Sequence, residues 1–336
     1  MHGIQVSEFG GPEVLEHREL PVPEPGAGQV RVRLHAVGVN PADTYIRTGT
    51  YPFFTPELPY TPGFDGAGVV DAVGAGVEEV APGDRVFVAA LGTPGCSGLY
   101  ADLAVVDAAV VHPLPSRLSY GQGAAVGVPC VTAWRALFQK AGLQPGETVL
   151  IHGASGGVGV PATQLAADVG AVVVGTAGSA AGMEVVRGAG AGHVLDHSAP
   201  EYLEELAGIT GGHGVSVVVE MLADVNLERD LEVLAVGGRV VVVGSRGSLE
   251  FTPRLTMRKE ATVLGTALWN ASPAETASAL AAVAAKLRTG ALDPVVGEEL
   301  PLSEAAAAHR RILEPGARGK LILVPDGEGQ APVALT

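Results

Sequence analysis

Cysteine, aromatic residues and positive charge are all scarce in this chain of 336 residues, and each scarcity excludes a class of protein. The two cysteines, Cys96 and Cys130, are too few for a disulfide framework or a four-cysteine zinc site. The formal net charge is −15, and nucleic-acid binding depends on basic side chains that neutralise phosphates. We therefore predict that nucleic acid is not a partner.

Long apolar segments are also missing, since no run of about 18 or more uninterrupted apolar residues occurs. The first residues, MHGIQVSEFGG, lack the basic segment followed by an apolar one that marks a secretory signal. Aromatic residues make up only 4 % of the chain, so its core must be built from Val, Ala and Leu. These features predict a cytoplasmic protein without a membrane partner.

The segment ETVLIHGASGGVG, residues 147–159, is the most informative one present. Its first half is the apolar pattern of a strand that is covered on both faces. Its second half contains Gly153, Gly156, Gly157 and Gly159, and a helical pattern follows. Glycine allows a tight turn and a close approach of the backbone to a pyrophosphate, and the first N–H groups of the helix face the anion. The segment therefore predicts a dinucleotide site.

The fold class is predicted from the order of strand and helix patterns. From about residue 147 to 268, helical patterns alternate with six strands, ETVLIHG, AVVVGTAG, GHVLDH, GVSVVVEM, GRVVVVGS and ATVLGTAL, which is typical of an α/β doubly wound (Rossmann) parallel sheet. LERDLEVLAVGG is predicted to be a crossover helix that ends at glycine. Residues 1 to about 120 contain short β-branched runs between Pro and Gly clusters, which predicts a mostly antiparallel β-barrel.

The C-terminal part returns to a helical pattern and ends in a strand, GKLILVP. We therefore predict that the Rossmann domain, residues 124–269, is inserted into a β-barrel domain made of residues 1–123 and 270–336. The last residues, PDGEGQAPVALT, are predicted to form a tail. Two such lobes leave a cleft between them, and ligands tend to bind in clefts.

Six segments, in this order and spacing, resemble the medium-chain dehydrogenase/reductase superfamily: GVNPADTYIRTGTY, PYTPGFDGAGVV, APGDRVF, HGASGGVG, EMLADVNL and GGRVVVVGSRG. Within the superfamily they are most similar to the zinc-free quinone oxidoreductases of the zeta-crystallin family. The resemblance covers nearly the whole chain up to GKLIL. It implies a GroES-like catalytic domain, an NADPH-binding Rossmann domain and reduction of a quinone.

The catalytic zinc of related alcohol dehydrogenases is held by a Cys, by a His that a Glu follows, and by a second Cys. The matching positions here are Asn40, Phe64 with Asp65, and Val128. An amide, a phenyl ring and an isopropyl group do not supply the N or S ligands that zinc prefers, and Cys130 lies two residues beyond the ligand position. We predict no metal. Without a Lewis acid to lower the pKa of an alcohol, the substrate should already be electrophilic, such as a quinone or an enone.

The resemblance also implies which residues bind the cofactor. Most of them follow strands of the Rossmann sheet, at the carboxyl ends where a dinucleotide crosses it. They are Ser155, Gly156, Gly157 and Val158 at the pyrophosphate, Gly178 and His197 at the adenosine end, Asn226, Val243, Gly244, Ser245 and Arg246 after the fourth and fifth strands, and Thr266, Ala267 and Leu268 beside the nicotinamide. Thr132 matches a position near the carboxamide, although a helix-capping role explains it nearly as well.

The second strand is followed by GTAGSAAG, which has no acidic residue at the strand tip. Enzymes that prefer NAD usually place a carboxylate there, so the sequence favours NADPH. Many relatives carry a lysine a few residues further on, where this chain has Gly182. Because a 2′-phosphate needs a partner, we consider Ser179, His197, Arg246 and a basic residue of the C-terminal RGK as alternatives.

The segment GVNPADTYIRTGTY aligns with the catalytic loop of the superfamily. Tyr45 matches a tyrosine that faces the nicotinamide ribose and the substrate, so the resemblance implies both a cofactor contact and a catalytic role. A phenol can donate a hydrogen bond to a quinone oxygen as negative charge develops there. Asn40 is predicted to orient the nicotinamide ring or the substrate. A buried tyrosine that bonds to backbone is the structural alternative for Tyr45.

These features together predict an NADPH-dependent quinone reductase that works without zinc. One alternative is an enone or alkenal double-bond reductase, which uses the same hydride in a pocket of another shape. An alternative of another class is a non-catalytic NADPH-binding sensor, structural protein or RNA-binding protein, against which the charge of −15 argues. The resemblance further implies a homodimer or homotetramer.

Overall fold

The computed structural model describes residues 1–91 and 98–325. Cys96 and nearly all of the predicted tail lie outside the described residues. The chain divides into two compact units. The first comprises Met1–Val128, Val296–Pro315 and the segment from Lys320 onward, and the second comprises Pro129–Val295 and Gly316–Gly319. Residues 270–295 belong to the second unit, whereas the predicted boundary assigned them to the β-barrel domain; the domain boundaries themselves stay a prediction.

The second unit contains a six-stranded sheet in which every neighbouring pair is parallel. Its strands are β8 (Thr148–Ile151), β9 (Val172–Ala177), β10 (His193–Asp196), β11 (Val215–Glu220), β12 (Leu234–Val242) and β13 (Thr262–Gly265). Their order is β10-β9-β8-β11-β12-β13, so the direction in which strands are added reverses beside β8. This order is that of a Rossmann fold, and the predicted parallel sheet is confirmed.

The helices of this unit connect successive strands of the sheet. They are α4 (Gly159–Asp168), α5 (Ala180–Gly188), α6 (Tyr202–Ile209), α7 (Ala223–Val233) and α8 (Arg254–Lys259), followed by a 3₁₀ turn at Leu268–Asn270 and α9 (Pro273–Thr289). Helix α7 ends at Val233 rather than at the glycine pair that the sequence predicts. The fully buried Leu234 already pairs with Val215 on β11, so sheet pairing takes over three residues before the first glycine.

The core of the second unit is aliphatic, as the composition requires. Strand residues that face it are wholly buried, because helices cover both faces of a parallel sheet. Helices α6 and α7 contribute further members of the same cluster. Its members include Leu150, Val174, Leu195, Leu206, Val218, Leu231 and Val240, each with an exposed fraction of at most 1 %.

The first unit is built on a sheet of seven strands, antiparallel except for one pair. Its strands are β3 (Gln29–Gly38), β4 (Asp65–Val73), β5 (Arg85–Ala89), β6 (Leu103–Asp107), β7 (Val111–Pro113), β14 (Val296–Pro301) and β15 (Lys320–Val324), of which β14 and β15 are parallel. A separate hairpin-like pair joins β1 (His2–Gln5) to β2 (Glu16–Glu19). The predicted separation into a parallel and a mostly antiparallel part is confirmed.

The short helices near this sheet carry much of the predicted chemistry. They are α1 (Pro41–Arg47), α2 (Tyr120–Gly123) and α10 (Ala305–Arg311), with 3₁₀ turns at Pro12–Val14, Ala108–Val110 and Leu302–Glu304. Helix α3 (Gly127–Trp134) continues into a π-helical stretch at Arg135–Lys140. Among the described residues, no helix combines the length and apolar character that crossing a membrane would require.

Candidate functional site

The predicted site residues form two groups, one in each unit. In the second unit the glycine-rich turn connects β8 to α4 and runs from His152 to Val158. Gly153 has φ of +55°, which favours glycine, and a Cβ on Gly159 would lie 2.3 Å from the carbonyl oxygen of Gly153. The backbone therefore folds on itself here only because both positions lack a side chain.

The turn presents backbone amides of the kind that bind phosphate. The N–H of Gly156 donates to the oxygen of Gly153 at 3.0 Å and Gly156 forms a parallel bridge with Gly319, whereas the N–H of Val158 has no acceptor among the described residues. It lies at the N-terminal end of the ten-residue helix α4, where the helix dipole favours an anion. The arrangement fits the pyrophosphate of a dinucleotide.

A C-terminal segment of the second unit returns to this turn. Gly319 N donates to Ser155 O at 2.6 Å, and Ser155 Oγ donates to Ala317 O at 2.8 Å. Arg318 lies between these two contacts and is exposed. The hydroxyl proton of Ser155 is thus committed to the chain, so this side chain can only accept a bond from a ligand. Arg318 of the RGK motif is brought to the edge of the turn.

The tip of β9 is made of small residues. Ser179 is the N-cap residue of α5, and its Oγ accepts a hydrogen bond from Gly182 N at 3.1 Å. A Cβ on Gly182 would lie 3.1 Å from Ser179 Oγ and 3.3 Å from Ser155 Oγ, so these three residues adjoin one another. Because residue 182 is glycine, the hydroxyl groups of Ser155 and Ser179 lie next to the space that a side chain would fill. The residues at the strand tip include no carboxylate.

His197 packs against the same strand tip. A Cβ on Gly178 would lie 2.7 Å from His197 Nε2, so the imidazole requires glycine there. The other ring nitrogen, Nδ1, lies 3.4 Å from Oγ1 of the buried Thr176. Partial burial lowers the pKa of His197, with a smaller contribution from His152. A histidine that is neutral at pH 7 offers a hydrogen bond to a phosphate but no full positive charge.

Asn226 and the residues after β12 are fixed by hydrogen bonds to Glu220 at the carboxyl edge of the sheet. Asn226 Nδ2 donates to Oε1 of Glu220 at 3.2 Å. The N–H groups of Val243 and Gly244 donate to Glu220 O at 2.8 and 3.3 Å, and a Cβ on Gly244 would lie 2.5 Å from Met221 O. The glycine thus permits the close approach of two strand ends.

Ser245 and Arg246 are held by one carboxylate, Asp224. Its Oδ1 accepts bonds from Ser245 Oγ at 3.1 Å and from Arg246 N at 2.8 Å, and the latter bond is the main cause of its lowered pKa. The three residues predicted to lie beside the nicotinamide, Thr266, Ala267 and Leu268, follow β13. Among them, the buried Oγ1 of Thr266 has no hydrogen-bond partner in the described part of the chain.

Thr132 is the sixth residue of α3 and is 8 % exposed. A cap lies at a helix end, so the capping alternative for Thr132 is wrong, because the helix runs from Gly127 to Trp134 and continues on both sides of it. Its role toward a carboxamide stays a prediction.

A buried cluster that the sequence did not suggest lies beside the turn. His152 Nε2 lies 2.8 Å from Oδ1 of Asp230 and 3.5 Å from Oε2 of Glu220. Burial raises the pKa of both carboxyl groups to about 7 and lowers that of His152. Polar residues at the end of an apolar strand, His152 after VLI and Glu220 after VVV, were the signal that could have revealed it.

In the first unit, Tyr45 lies on α1, and Asn40 is the N-cap residue of this helix. Asn40 N donates to Asp43 Oδ2 at 2.8 Å, and proline occupies the first helical position, where it is favoured. The half-buried ring of Tyr45 stacks with that of Tyr51, with centroids 6.5 Å apart and an interplanar angle of 10°. Burial raises the pKa of Tyr51 to about 12, with a further contribution from Asp43. Two phenol rings are therefore presented together.

Asn40 belongs to a buried cluster with Asp65 and Lys320. Asn40 Nδ2 donates to Asp65 Oδ2 at 2.9 Å, Lys320 Nζ donates to the same oxygen at 3.0 Å, and Lys320 also donates to Asn40 Oδ1. The exposed fractions of the three residues are 3 %, 0 % and 3 %. Both ends of the Asn40 amide are thus bonded within the protein, and the ammonium of Lys320 is held where β15 meets β3.

The remaining positions that match zinc ligands in alcohol dehydrogenases surround this cluster. Val128 N donates to Asp65 Oδ1 at 2.6 Å, and the buried ring of Phe64 makes an edge contact with Phe54. The residues at these positions do not fit zinc, because the carboxylate of Asp65 is the one ligand group that they offer and the ammonium of Lys320 already pairs with it. In the described residues, the one group of three potential metal ligands is His152, Glu220 and Asp230.

A second buried polar group supports α1. Tyr100 Oη donates to Asp43 Oδ2 at 3.0 Å and lies 3.3 Å from His309 Nε2. Burial raises the pKa of Asp43 to about 7 and lowers that of His309 to about 3. The helix that carries Tyr45 is therefore anchored by Asn40 at its start and by Asp43 in its first turn.

Comparison with known proteins assigns both units to known families. Residues 26–116 match the family model of the alcohol dehydrogenase GroES-like domain, and residues 157–285 match that of the zinc-binding dehydrogenases. The chain is 45 % identical to a quinone oxidoreductase of Homo sapiens over 326 residues, which cover 96 % of this chain and 98 % of that one. A quinone oxidoreductase of Pseudomonas aeruginosa is 34 % identical over 327 residues, 96 % of this chain and 99 % of the relative.

Solved structures agree with these similarities. The quinone oxidoreductase of Escherichia coli, crystallised with NADPH, superposes with a TM-score of 0.84 at 30 % identity, covering 97 % of this chain and 100 % of that one. An NAD-dependent alcohol dehydrogenase superposes with a TM-score of 0.89 at 34 % identity, covering 96 % and 99 %. The two neighbours are described with different nicotinamide cofactors, so cofactor preference has to be argued from the residues of this chain.

Proposed function

This chain belongs to the medium-chain dehydrogenase/reductase superfamily, in its quinone oxidoreductase branch, and from that premise we propose that it is an NADPH-dependent quinone reductase that works without zinc. The observation that carries the proposal is a buried cluster in which Lys320 bonds to Asn40 and Asp65, two of the residues that match zinc-ligand positions in related alcohol dehydrogenases. The ammonium of Lys320 already compensates the negative charge of Asp65 in this cluster. A substrate that accepts a hydride without a Lewis acid, as a quinone does, suits such a site.

Tyr45 is the proposed catalytic residue. When bound, the cofactor supplies a hydride from its nicotinamide. A phenol that donates a hydrogen bond to the quinone oxygen stabilises the negative charge that develops there, and this bond strengthens as the charge grows. The stacked ring of Tyr51 limits the orientations open to Tyr45. Asn40 is proposed as a positioning residue, because its amide is bonded to Asp65 and Lys320 and it begins the helix that carries Tyr45.

NADPH is the proposed cofactor because no carboxylate occupies the tip of β9. Ser179 Oγ adjoins Gly182 in the first turn of α5, and this hydroxyl and the amides of that turn offer hydrogen bonds to a 2′-phosphate. Of the cationic candidates, Lys320 is excluded by its buried pair with Asp65, and His197 has a lowered pKa. Arg318, exposed at the edge of the turn beside Ser155, is the basic residue that we propose for the phosphate.

The remaining cofactor contacts are proposed for the residues that follow the parallel strands. The amide of Val158 at the start of α4 would bind the pyrophosphate, and Thr266 after β13 would lie at the nicotinamide end. Backbone groups rather than side chains would serve at several of these positions. They are Gly156, Gly157, Val158, Gly178, Val243, Gly244, Ala267 and Leu268.

The edge of the Rossmann sheet supports a proposal about assembly. Strand β13 ends the order of strands, and the exposed side chain of Val263 lies on it. An apolar edge strand is a template for pairing with a second chain. We propose a homodimer or homotetramer, which size-exclusion chromatography with light scattering would test.

Steady-state oxidation of NADPH with 1,2-naphthoquinone, 1,4-benzoquinone and 2-alkenals tests the reaction. We expect turnover with the quinones. Substantial turnover confined to the alkenals would replace the proposal with the double-bond reductase, and absence of turnover with every acceptor would favour a cofactor-binding protein. Elemental analysis of the purified protein should find well below one zinc per chain. Stoichiometric zinc would contradict the metal-free part of the proposal.

A further inference from the structure

The buried cluster of His152, Glu220 and Asp230 has no role in the function proposed above. His152 follows β8, Glu220 ends β11 and Asp230 lies on α7, with exposed fractions of 4 %, 0 % and 1 %. His152 Nε2 is within hydrogen-bond distance of Asp230 Oδ1, at 2.8 Å, and 3.5 Å from Glu220 Oε2. Two carboxyl groups are therefore buried around a single imidazole.

The charge of this cluster is constrained by its burial. Two ionised carboxylates side by side disfavour each other, and removal from water adds to the cost. Glu220 Oε2 and Asp230 Oδ2 are buried and accept no hydrogen bond within the described residues, although the two carboxyl groups contact each other. A single proton on Glu220 that is donated to Asp230 satisfies both of these atoms and removes one negative charge.

We propose that Glu220 and Asp230 share one proton and that the pair positions the dinucleotide site, an inference that rests on the proposed cofactor-dependent function. Two chains of contacts start from the pair. In the first chain, Asp230 orients His152 through the contact with its Nε2. His152 Nδ1 lies 3.5 Å from Thr176 Oγ1, and this hydroxyl accepts a hydrogen bond from the turn amide of Gly153 at 3.3 Å.

The second chain runs through Glu220. Its Oε1 accepts bonds from Leu222 N and from Asn226 Nδ2, the latter at 3.2 Å. Thr176 Oγ1 also contacts His197, so the cluster reaches the glycine turn, the adenosine end and Asn226. Glu220 and Asp230 are thus positioning residues, since they act on the ligand through groups that would touch it.

Cofactor binding and the shared proton should be linked. The phosphates of a dinucleotide bring further negative charge near the turn, so the complex favours the protonated pair. Burial raises the pKa of both carboxyl groups to about 7. As the pH rises through about 7 the free protein loses the proton, which must be taken up again on binding. Affinity should therefore fall with rising pH, by about tenfold per pH unit at most for one proton.

Other titrating groups near the cluster act in other pH ranges. His197 has a pKa lowered below that of ordinary histidine, and burial raises the pKa of Tyr202 on α6 above its ordinary value. Arg229 on α7 hydrogen-bonds to Tyr202. A 2′-phosphate itself titrates near pH 6, so NADH, which lacks it, is the cleaner probe above that pH.

The test is isothermal titration calorimetry of NADH and NADPH at pH 6.5, 7.5 and 8.5 on three variants and the parent protein. Glu220→Gln mimics the protonated carboxyl, Asp230→Asn removes the acceptor of His152, and Glu232→Gln makes the same charge change at an exposed position of α7. For the parent and Glu232→Gln we expect the dissociation constant of NADH to rise about tenfold between pH 6.5 and 8.5. The Glu220→Gln variant should bind NADH with the same dissociation constant at all three pH values.

The outcomes separate the inference from the proposed function. A Glu220→Gln variant with the same pH dependence as the parent overturns the shared proton, while dinucleotide binding by the parent still stands. Absence of binding by the parent overturns the proposed function itself. A stoichiometric transition metal in the parent that is lost in Asp230→Asn would show a metal site in place of the proton. If Asp230→Asn does not fold, as circular dichroism would show, the slope of Glu220→Gln decides alone.

Discussion

Removal of the Lys320 ammonium should destabilise the first unit strongly. The Nζ atom lies 3.0 Å from Asp65 Oδ2, and both side chains are at most 3 % exposed. At an effective dielectric constant of about 20, Coulomb's law gives an attraction of about 5.5 kcal/mol at this distance. Desolvation offsets much of this gain in the intact pair, but breaking a buried pair leaves a charge uncompensated and typically costs about 3–5 kcal/mol.

Lys320→Met is the suitable change, because methionine keeps much of the volume and removes the charge. Asp65 would retain its bonds from Asn40 Nδ2 and Val128 N, which places the expected loss toward the lower end of that range. A loss of about 3–5 kcal/mol lowers the melting temperature of a unit of this size by about 6–20 °C. Differential scanning calorimetry would measure the shift.

Two further variants make the result decisive. Lys286→Met breaks the ion pair of Lys286 with Asp168, in which the two side chains are 31 % and 28 % exposed. This change should lower the free energy of unfolding by less than about 1 kcal/mol. Asp65→Asn combined with Lys320→Met removes both charges and should recover much of the stability. A Lys320→Met shift no larger than that of Lys286→Met, or a double variant less stable than the single one, would refute the reasoning.

Three more predictions concern binding and catalysis. Tyr45→Phe should lower kcat for quinones by about 100-fold with little change in NADPH affinity, since it removes a donor to developing charge; equal losses in both would make Tyr45 a cofactor clamp. Gly159→Ala should weaken NADPH binding at least about tenfold, because the added Cβ would lie 2.3 Å from Gly153 O, whereas Gly188→Ala meets no atom within 4 Å and serves as the control. Arg318→Gln should weaken NADPH binding about tenfold, or about 1.4 kcal/mol, and leave NADH binding unchanged in calorimetry; equal weakening of both cofactors would argue against a phosphate contact.

The comparison of sequence with structure is clearest in the Rossmann unit. Periodicity predicted all six parallel strands, since a strand buried on both faces must be apolar along its length. The end of α7 was missed, because the sheet pairing of Leu234 overrides the local helical pattern. Likewise, the interior position of Thr132 in α3 depends on where the helix begins, which a Gly- and Pro-containing segment leaves open.

The sequence by itself determined the fold class, the glycine-rich turn and the residues at the zinc positions, because these depend on local pattern and on the identity of side chains. Only the tertiary structure decided what those residues contact. It joined Lys320 to Asn40 and Asp65 across more than 250 positions, brought Arg318 to the turn at Ser155, and gathered His152, Glu220 and Asp230 from a turn, a strand and a helix. Such contacts follow from burial and strand order, which bring together charges that are remote in sequence and leave them no other partner.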